Sequence, residues 1–176
     1  MKFGIFYELQ LPRPWAHGDE HRLYQNALDQ IEMADRLGYD HAWQVEHHFL
    51  EEYSHSPAPE SFLAAASQRT RRIELGAAVI QMGYENPFRL AEDLATADTL
   101  SRSRLQVGLS AGAPLYGALL GDRFHDGDPS GVDYSHARVL RLRDNLRDER
   151  FGDEEAWIES PAGRQRPRLQ ILRASR

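Results

Sequence analysis

The segment LGYDHAWQVEHHF, residues 37–49, contains the junction that decides the fold. Gly38 ends a stretch whose apolar residues recur at helical spacing, and glycine is typical of a left-handed helix end. The short apolar run HAWQV, residues 41–45, predicts a buried strand. Glu46, His47 and His48 follow at once, so three polar side chains stand at the carboxyl end of that strand.

The same alternation of strand and helix continues on both sides of this junction. The predicted strands are residues 2–6, 41–45, 72–80 and 104–112, and the predicted helices are residues 18–38, 58–70, 86–101 and 134–150. The strands are mostly apolar and lack clean alternation, as expected when both faces of a sheet are covered. We therefore predict an α/β fold with a parallel sheet built from βα units.

The length of 176 residues suits one domain. Residues 1–150 contain all the predicted βα units. Residues 151–176 are polar and rich in arginine, and we expect either a hairpin at ESPAGRQ, residues 159–165, or disorder. This tail shows no pattern of a fifth βα unit.

Composition excludes several classes of protein. The chain has no cysteine, which excludes disulfides and thiolate metal sites. Its net charge is −6 and its arginines are interleaved with acids, so no basic nucleic-acid surface is expected. No apolar run reaches 18 residues, and MKFGIFYELQLP at the N-terminus is typical of a first strand, not of a signal peptide. We expect a cytoplasmic protein without a membrane span.

Functional groups of parallel α/β proteins collect at the carboxyl ends of the strands. The predicted strand ends are Tyr7-Glu8, Glu46-His47-His48, Gln81-Met82 and Ser110-Ala111-Gly112. We expect these four groups to line one mouth.

The Glu46-His47-His48 group admits three interpretations: a metal site, an acid/base site, or a polar strand end. Adjacent histidines on an extended chain point to opposite sides, which argues against one shared metal ion. Histidine suits proton transfer, and a nearby carboxylate can orient it. Spacing alone leaves the polar strand end open.

The sequence Gly108-Leu109-Ser110-Ala111-Gly112 fits the Gly-x-Ser-x-Gly pattern of serine hydrolases. The possible acid and base residues downstream are Asp122, Asp126, Asp128, His125 and His136. A glycine-rich strand end more often allows close approach of a ligand or a helix. A hydrolase that uses Ser110 therefore stays an alternative.

Five segments in order carry a resemblance to a known family. They are MKFGIF (1–6), LGYDHAWQVEHHF (37–49), LGAAVIQ (75–81), NPFRLAEDLATADTLS (86–101) and RLQVGLSAG (104–112). Together they resemble the bacterial luciferase-like flavin-dependent monooxygenases, which are (β/α)8 barrels. The resemblance implies a TIM-barrel type of fold. A full barrel takes about 250 residues, so we expect about a half-barrel here. Its open edges and inner face predict a homo-oligomer.

The resemblance also implies roles for individual residues. His47 corresponds to the active-site histidine that handles protons beside the flavin. The implied cofactor-binding residues are Glu46, Ala77, Ala78, Ser110 and Gly112, with a non-proline cis peptide at Ala77–Ala78 and no metal ion. Two departures stand out: Ala111 replaces a phosphate-binding arginine, and SRSR at 101–104 replaces a Ser-Gly-Gly-Arg turn.

The implied activity is oxidation of a small organic substrate by reduced flavin and O2. FMN is the expected cofactor, with a deazaflavin coenzyme as the alternative, and a separate reductase is expected to supply the reduced flavin. The first alternative function is a shortened, non-catalytic relative that binds flavin or a partner. The second is the serine hydrolase.

Overall fold

The computed structural model describes residues 1–111, 136–147, 150–152, 157–159 and 168–169. The first eight elements are β1 (Gly4–Tyr7), α1 (Asp19–Leu37), β2 (His41–Gln44), α2 (Pro59–Arg69), β3 (Glu74–Gln81), α3 (Pro87–Ser101), β4 (Leu105–Ser110) and α4 (His136–Arg147). Three short strands follow: β5 (Arg150–Gly152), β6 (Trp157–Glu159) and β7 (Arg168–Leu169). Strands β1 to β4 pair in parallel, and a helix lies between each strand and the next. The helix after β4 is α4. The predicted parallel α/β class is confirmed.

The four predicted parallel strands are present, and the sheet has a fifth strand that the sequence did not predict. The strand order is β1-β2-β3-β4-β7, and β7 pairs in parallel with β4 at Gln106 and Val107. A strand of two residues is too short to give a periodic signal in the sequence. Strands β5 and β6 form a separate antiparallel pair. Except for Glu159, the turn predicted at 159–165 lies outside the described residues.

The register gives the sheet two unlike faces. Ile5, Ala42, Leu75 and Leu105 are aligned across the four strands and pack against the helices. Large side chains of that core are less than 2% exposed, among them Ile31, Leu75, Leu90 and Leu94. The next row on the opposite face consists of Phe6, Trp43, Gly76 and Gln106. Phe6 is 56% exposed, so this face is only partly covered.

Helix ends follow the local sequence closely. Gly38 ends α1 with a φ of 91°, in the left-handed region predicted for it. The side chain of Asn86 accepts hydrogen bonds from the main-chain N–H groups of Phe88 and Arg89 at the start of α3. After α3, Arg102 and Ser103 have φ values of 58° and 60°. These are the two positions where the resembled turn has glycine, so non-glycine residues here adopt a conformation that glycine adopts more easily.

The amino ends of the strands are held by two charged side chains. Asp35 accepts hydrogen bonds from the main-chain N–H groups of Arg71, Arg72 and Ile73, which fixes the entry to β3. Burial of Asp35 acts to raise its pKa, but these hydrogen bonds outweigh it and the pKa is lowered. The guanidinium of Arg104 donates to carbonyls of the α2–β3 segment and to that of Ser101. This end of the sheet is therefore structural, and the opposite end is free for a site.

Strand β1 forms an open edge of the sheet. The carbonyls of Phe3 and Tyr7 accept hydrogen bonds from the β2 segment, so the main-chain groups of Gly4 and Phe6 point away from it. A pocket of about 430 Å³ lies along this edge, lined by Phe6, Tyr7, Glu8, Leu9, Leu23 and Gln30, among others. Phe6 and Tyr7 point to opposite faces, so the pocket wraps around the strand. None of the helices in the described ranges has the length and apolar character of a membrane span.

Candidate functional site

The carboxyl ends of β2 and β3 are joined by Glu46, which is 2% exposed. Its Oε1 lies 2.7 Å from Nε2 of His48, and its Oε2 accepts a hydrogen bond of 3.0 Å from the main-chain N–H of Gln81. The side-chain amide of Gln81 donates back to the main-chain carbonyl of Glu46 at 2.7 Å. Both oxygens of this buried carboxylate are therefore occupied by neighbouring protein groups.

His47 lies on the other side of the strand end, beside Glu8 at the end of β1. The Nε2 atom of His47 is 3.4 Å from Oε2 of Glu8, and the two side chains are 31% and 26% exposed. The ring of Tyr53 meets the imidazole edge-on with 5.5 Å between centroids. The main-chain N–H of His47 donates to the carbonyl of Ser56 at 2.9 Å, which holds the backbone at this point.

The two histidines thus contact different groups, beyond the end of β2 at Gln44 and where the chain bends at His48 and Phe49. His48 contacts Glu46 and stacks on Tyr84 with 4.1 Å between ring centroids, whereas His47 faces Glu8. A carboxylate near the histidine is expected from the sequence, and the structure places Glu8, which follows β1, 3.4 Å from Nε2 of His47. Sequence spacing could not identify the contacts of His47 with Glu8 and Tyr53. Both contacts depend on strand pairing and loop packing.

Strand β3 presents small residues toward the carboxyl end of the sheet. The indole of Trp43 covers Gly76 so closely that a β-carbon at Gly76 would lie 2.2 Å from a ring atom. Ala77 and Ala78 follow, and Ala78 is only partly buried. The non-proline cis peptide lies at Ala78–Val79, one bond beyond the Ala77–Ala78 position that the resemblance implied. The register between β3 and β4 shifts at this point, where β3 has one extra residue.

The last predicted strand end is described only in part. Ser110 is partly buried at the end of β4, and its carbonyl accepts a hydrogen bond of 2.9 Å from the N–H of Met82. Gly112 and the acids proposed for a serine hydrolase lie outside the described residues, and so do His125 and the side chain of His136. The hydrolase alternative stays a prediction. No group of three His, Asp or Glu side chains in the described part of the chain could hold a metal ion.

The sequence profile of the luciferase-like monooxygenases matches residues 1–140, which is most of the chain. The chain belongs to the luciferase-like monooxygenase family. This confirms the family that the five segments indicate.

Two curated luciferase-like relatives and one solved structure show how far the similarity extends. Limonene 1,2-monooxygenase of Rhodococcus erythropolis is 40% identical over 114 residues, covering 62% of this chain and 27% of the relative. The oxygenase component of the flavin-dependent trigonelline monooxygenase of Acinetobacter baylyi is 27% identical over 113 residues, covering 64% and 31%. The crystal structure of monooxygenase RslO1 from Streptomyces bottropensis superposes with a TM-score of 0.73 at 30% identity, covering 97% of this chain and 53% of that one. The chain thus spans about a third or less of these curated relatives and about half of the solved structure.

This luciferase-like chain has a second acidic group behind His48. Burial, together with the nearby carboxylates of Glu46 and Glu60, raises the pKa of Glu85 to about 7, although His48 acts to lower it. Burial likewise raises the pKa of Glu60, with additional contributions from Glu46 and Asp93. The sequence gives no signal for this cluster, since Glu85 stands in a loop and Glu60 in the first turn of α2.

Glu85 makes stability depend on pH in a direction that can be tested. Its pKa is about 7 in the folded state against an ordinary value of 4.5, so the folded state binds more protons than the unfolded state between these pH values. The free energy of unfolding should therefore fall as pH rises from 4.5 to 7. Glu85→Gln should raise it by about 1–2 kcal/mol at pH 8, after allowance for solvent screening, and leave it unchanged at pH 4.

Urea unfolding of both proteins at pH 4, 6 and 8 measures this difference. Glu51→Gln is the control, because Glu51 is exposed and its ion pair with Arg13 lies on the surface. The control should change the free energy of unfolding by less than about 0.5 kcal/mol at each pH. Parallel pH profiles for Glu85→Gln and the parent would show that Glu85 does not hold a proton in the folded state.

Proposed function

We propose that this chain takes part in a flavin-dependent monooxygenase reaction, in which reduced flavin and O2 oxidise a small organic molecule. The proposed cofactor is FMN, with a deazaflavin as the alternative. The observation that carries the proposal is the pair of His47 and Glu8, placed at the carboxyl edge of the sheet within the region that matches the family profile. The substrate is not specified by the described residues.

The described residues fit the flat ring of a flavin. Gly76, Ala77 and Ala78 place little side-chain volume on β3. The indole of Trp43 fills the space over Gly76, which leaves the partly buried Ala78 as the open position of this stretch. A planar ring can therefore approach the main chain closely at Ala78. We assign Ala78 to this surface and Ser110 to its β4 side. The side chain of Ala77 is 1% exposed in the core, so only its main chain is available to the ring. Gly112 lies outside the described residues and stays a prediction. Ala111 provides no charge for the phosphate, so that anchor is not among the described residues of this edge.

Reduced flavin supplies the electrons that activate O2 in such reactions. The part of this chain is to position groups and to handle protons. His47 is partly exposed beside this surface and can accept or donate a proton through its ring nitrogens. Glu46 has both oxygens occupied, so its proposed contribution is to hold His48 and Gln81 in place as the wall of the site.

Two kinds of protein partner belong to the proposal. A separate reductase would supply the reduced flavin, as the name "oxygenase component" implies for the Acinetobacter baylyi relative. A second copy of the chain would cover the open edge, where Phe3 and Phe6 are 58% and 56% exposed. Sedimentation of the purified chain as a compact monomer would contradict the second partner.

Titration of the purified chain with oxidised FMN tests the function, with flavin fluorescence as the readout. We expect saturable quenching with a dissociation constant in the micromolar range, about −8 kcal/mol. Ala78→Val should weaken binding by about tenfold or more, because its methyl groups would occupy the space of the ring. Ala16→Val is the matched control, since Ala16 is exposed in a loop far along the chain from β3.

A negative result in this titration has a defined meaning. If no binding is seen up to about 1 mM FMN, where the association free energy is only about −4 kcal/mol, the FMN proposal fails. The same titration with a deazaflavin then decides between the alternative cofactor and a non-catalytic, partner-binding relative.

A further inference from the structure

We propose that Glu8 is the positioning residue of His47, and that it fixes which ring nitrogen carries the hydrogen. Glu8 directly follows β1, and His47 follows the neighbouring strand β2. The catalytic consequence rests on the proposed flavin-dependent function, whereas the positioning itself does not.

Among the described residues, His47 is the partner that the geometry leaves for the Glu8 carboxylate. The Oε2 atom of Glu8 is buried and accepts no hydrogen bond from this part of the chain, and the Nε2 atom of His47 is 3.4 Å away. That separation is at the long end for a hydrogen bond, and a small rotation of the imidazole closes it. Tyr53 packs against the ring edge-on, which limits the ring to small rotations.

The other nearby carboxylate is not available to His47. Glu46 precedes His47 in the chain, but its oxygens already pair with His48 and with the N–H of Gln81. Glu8 is therefore the carboxylate that orients this histidine.

A carboxylate acceptor at Nε2 favours the neutral form of imidazole that has its hydrogen on Nε2. The lone pair then lies on Nδ1, and Nδ1 becomes the atom that accepts a proton during the reaction. Without Glu8 the ring could take either form and turn more freely. Glu8 thus acts on the chemistry through His47 and needs no contact with flavin or substrate.

The chain contains its own reference histidines for this assignment. His41 and His48 meet Glu74 and Glu46 through Nε2, at 3.0 and 2.7 Å. His55 differs: its Nδ1 lies 2.9 Å from Glu20, and its Nε2 is buried without a hydrogen-bond partner among the described residues. His41 and His48 are expected to carry hydrogen on Nε2, and His55 on Nδ1.

Long-range ¹H–¹⁵N NMR of histidine-labelled protein at pH 8 distinguishes imidazole with its hydrogen on Nε2 from imidazole with its hydrogen on Nδ1. The His47 signals are assigned by their loss in His47→Gln. We expect the parent to show His47 with hydrogen on Nε2, like His41 and unlike His55. Glu8→Gln should shift His47 to a mixture of both forms and leave the signals of His48 unchanged. Glu74→Gln is the matched control and should change His41 alone.

Turnover with reduced FMN and O2 is measured on the same proteins. Glu8→Gln should lower it by about 10- to 100-fold, with FMN affinity unchanged within about threefold. An unchanged His47 spectrum in Glu8→Gln overturns the positioning. A changed spectrum with unchanged turnover overturns its role in the reaction. If Glu8→Gln changes the His47 spectrum but the parent protein neither binds FMN nor turns over, the positioning is supported and the proposed function is overturned.

Discussion

His47→Ala is expected to lower turnover with reduced FMN and O2 by about 100-fold or more, since proton transfer by a positioned side chain contributes about 10²–10⁴-fold. Binding of FMN should change by less than about threefold, because the small residues of β3 and not His47 form the surface proposed for the ring. A large fall in turnover with nearly unchanged affinity separates proton handling from binding. Stopped-flow turnover and the fluorescence titration measure the two quantities.

His21→Ala is the matched control, because His21 is an exposed residue of α1. It should leave both quantities within about twofold of the parent. An active His47→Ala protein would contradict the role of His47. Loss of FMN binding together with turnover would point instead to a structural or binding role.

Glu46→Ala is expected to give the largest loss of stability at the site, about 3 kcal/mol in the free energy of unfolding. The substitution removes a buried carboxylate and leaves the N–H of Gln81 and the ring of His48 without their acceptors. Removal of one partner of a buried network costs about 3–5 kcal/mol, and relaxation of the partly exposed His48 lowers that value. Urea unfolding monitored by circular dichroism gives the free energy.

Glu32→Ala provides the comparison on the surface. Glu32 pairs with Arg36 one turn along α1, with Glu32 38% and Arg36 66% exposed. Such a helical ion pair contributes about 0.3–0.5 kcal/mol, so the control should unfold at nearly the parental urea concentration. Equal losses in both variants would mean that the Glu46 network does not stabilise the fold.

The βα order could be predicted from sequence because each element carries its own local signal. Gly38 ends α1 and Asn86 begins α3, and the apolar run around Leu75 is long enough to mark a strand. The fifth strand could not be predicted, because Arg168 and Leu169 become a strand only by pairing with β4.

The candidate site also has some features that could be predicted from the sequence and others that could not. The sequence places His47 just after a strand, and its role in proton transfer stays a proposal. The partner of His47 could not be foreseen, since Glu8 is 39 positions earlier and reaches it through the pairing of β1 with β2. The position of the cis peptide was wrong by one bond, because neighbouring alanines give no local signal for Ala78–Val79.

The open edge of β1 affects how every one of these stabilities is to be measured. If a second copy covers Phe3 and Phe6, association and folding are linked by mass action. The unfolding midpoint then rises with protein concentration, and each tenfold increase above the dissociation constant adds about 1.4 kcal/mol. The measured free energy of unfolding would then depend on protein concentration as well as on sequence. Parent and variants are therefore comparable only at one concentration.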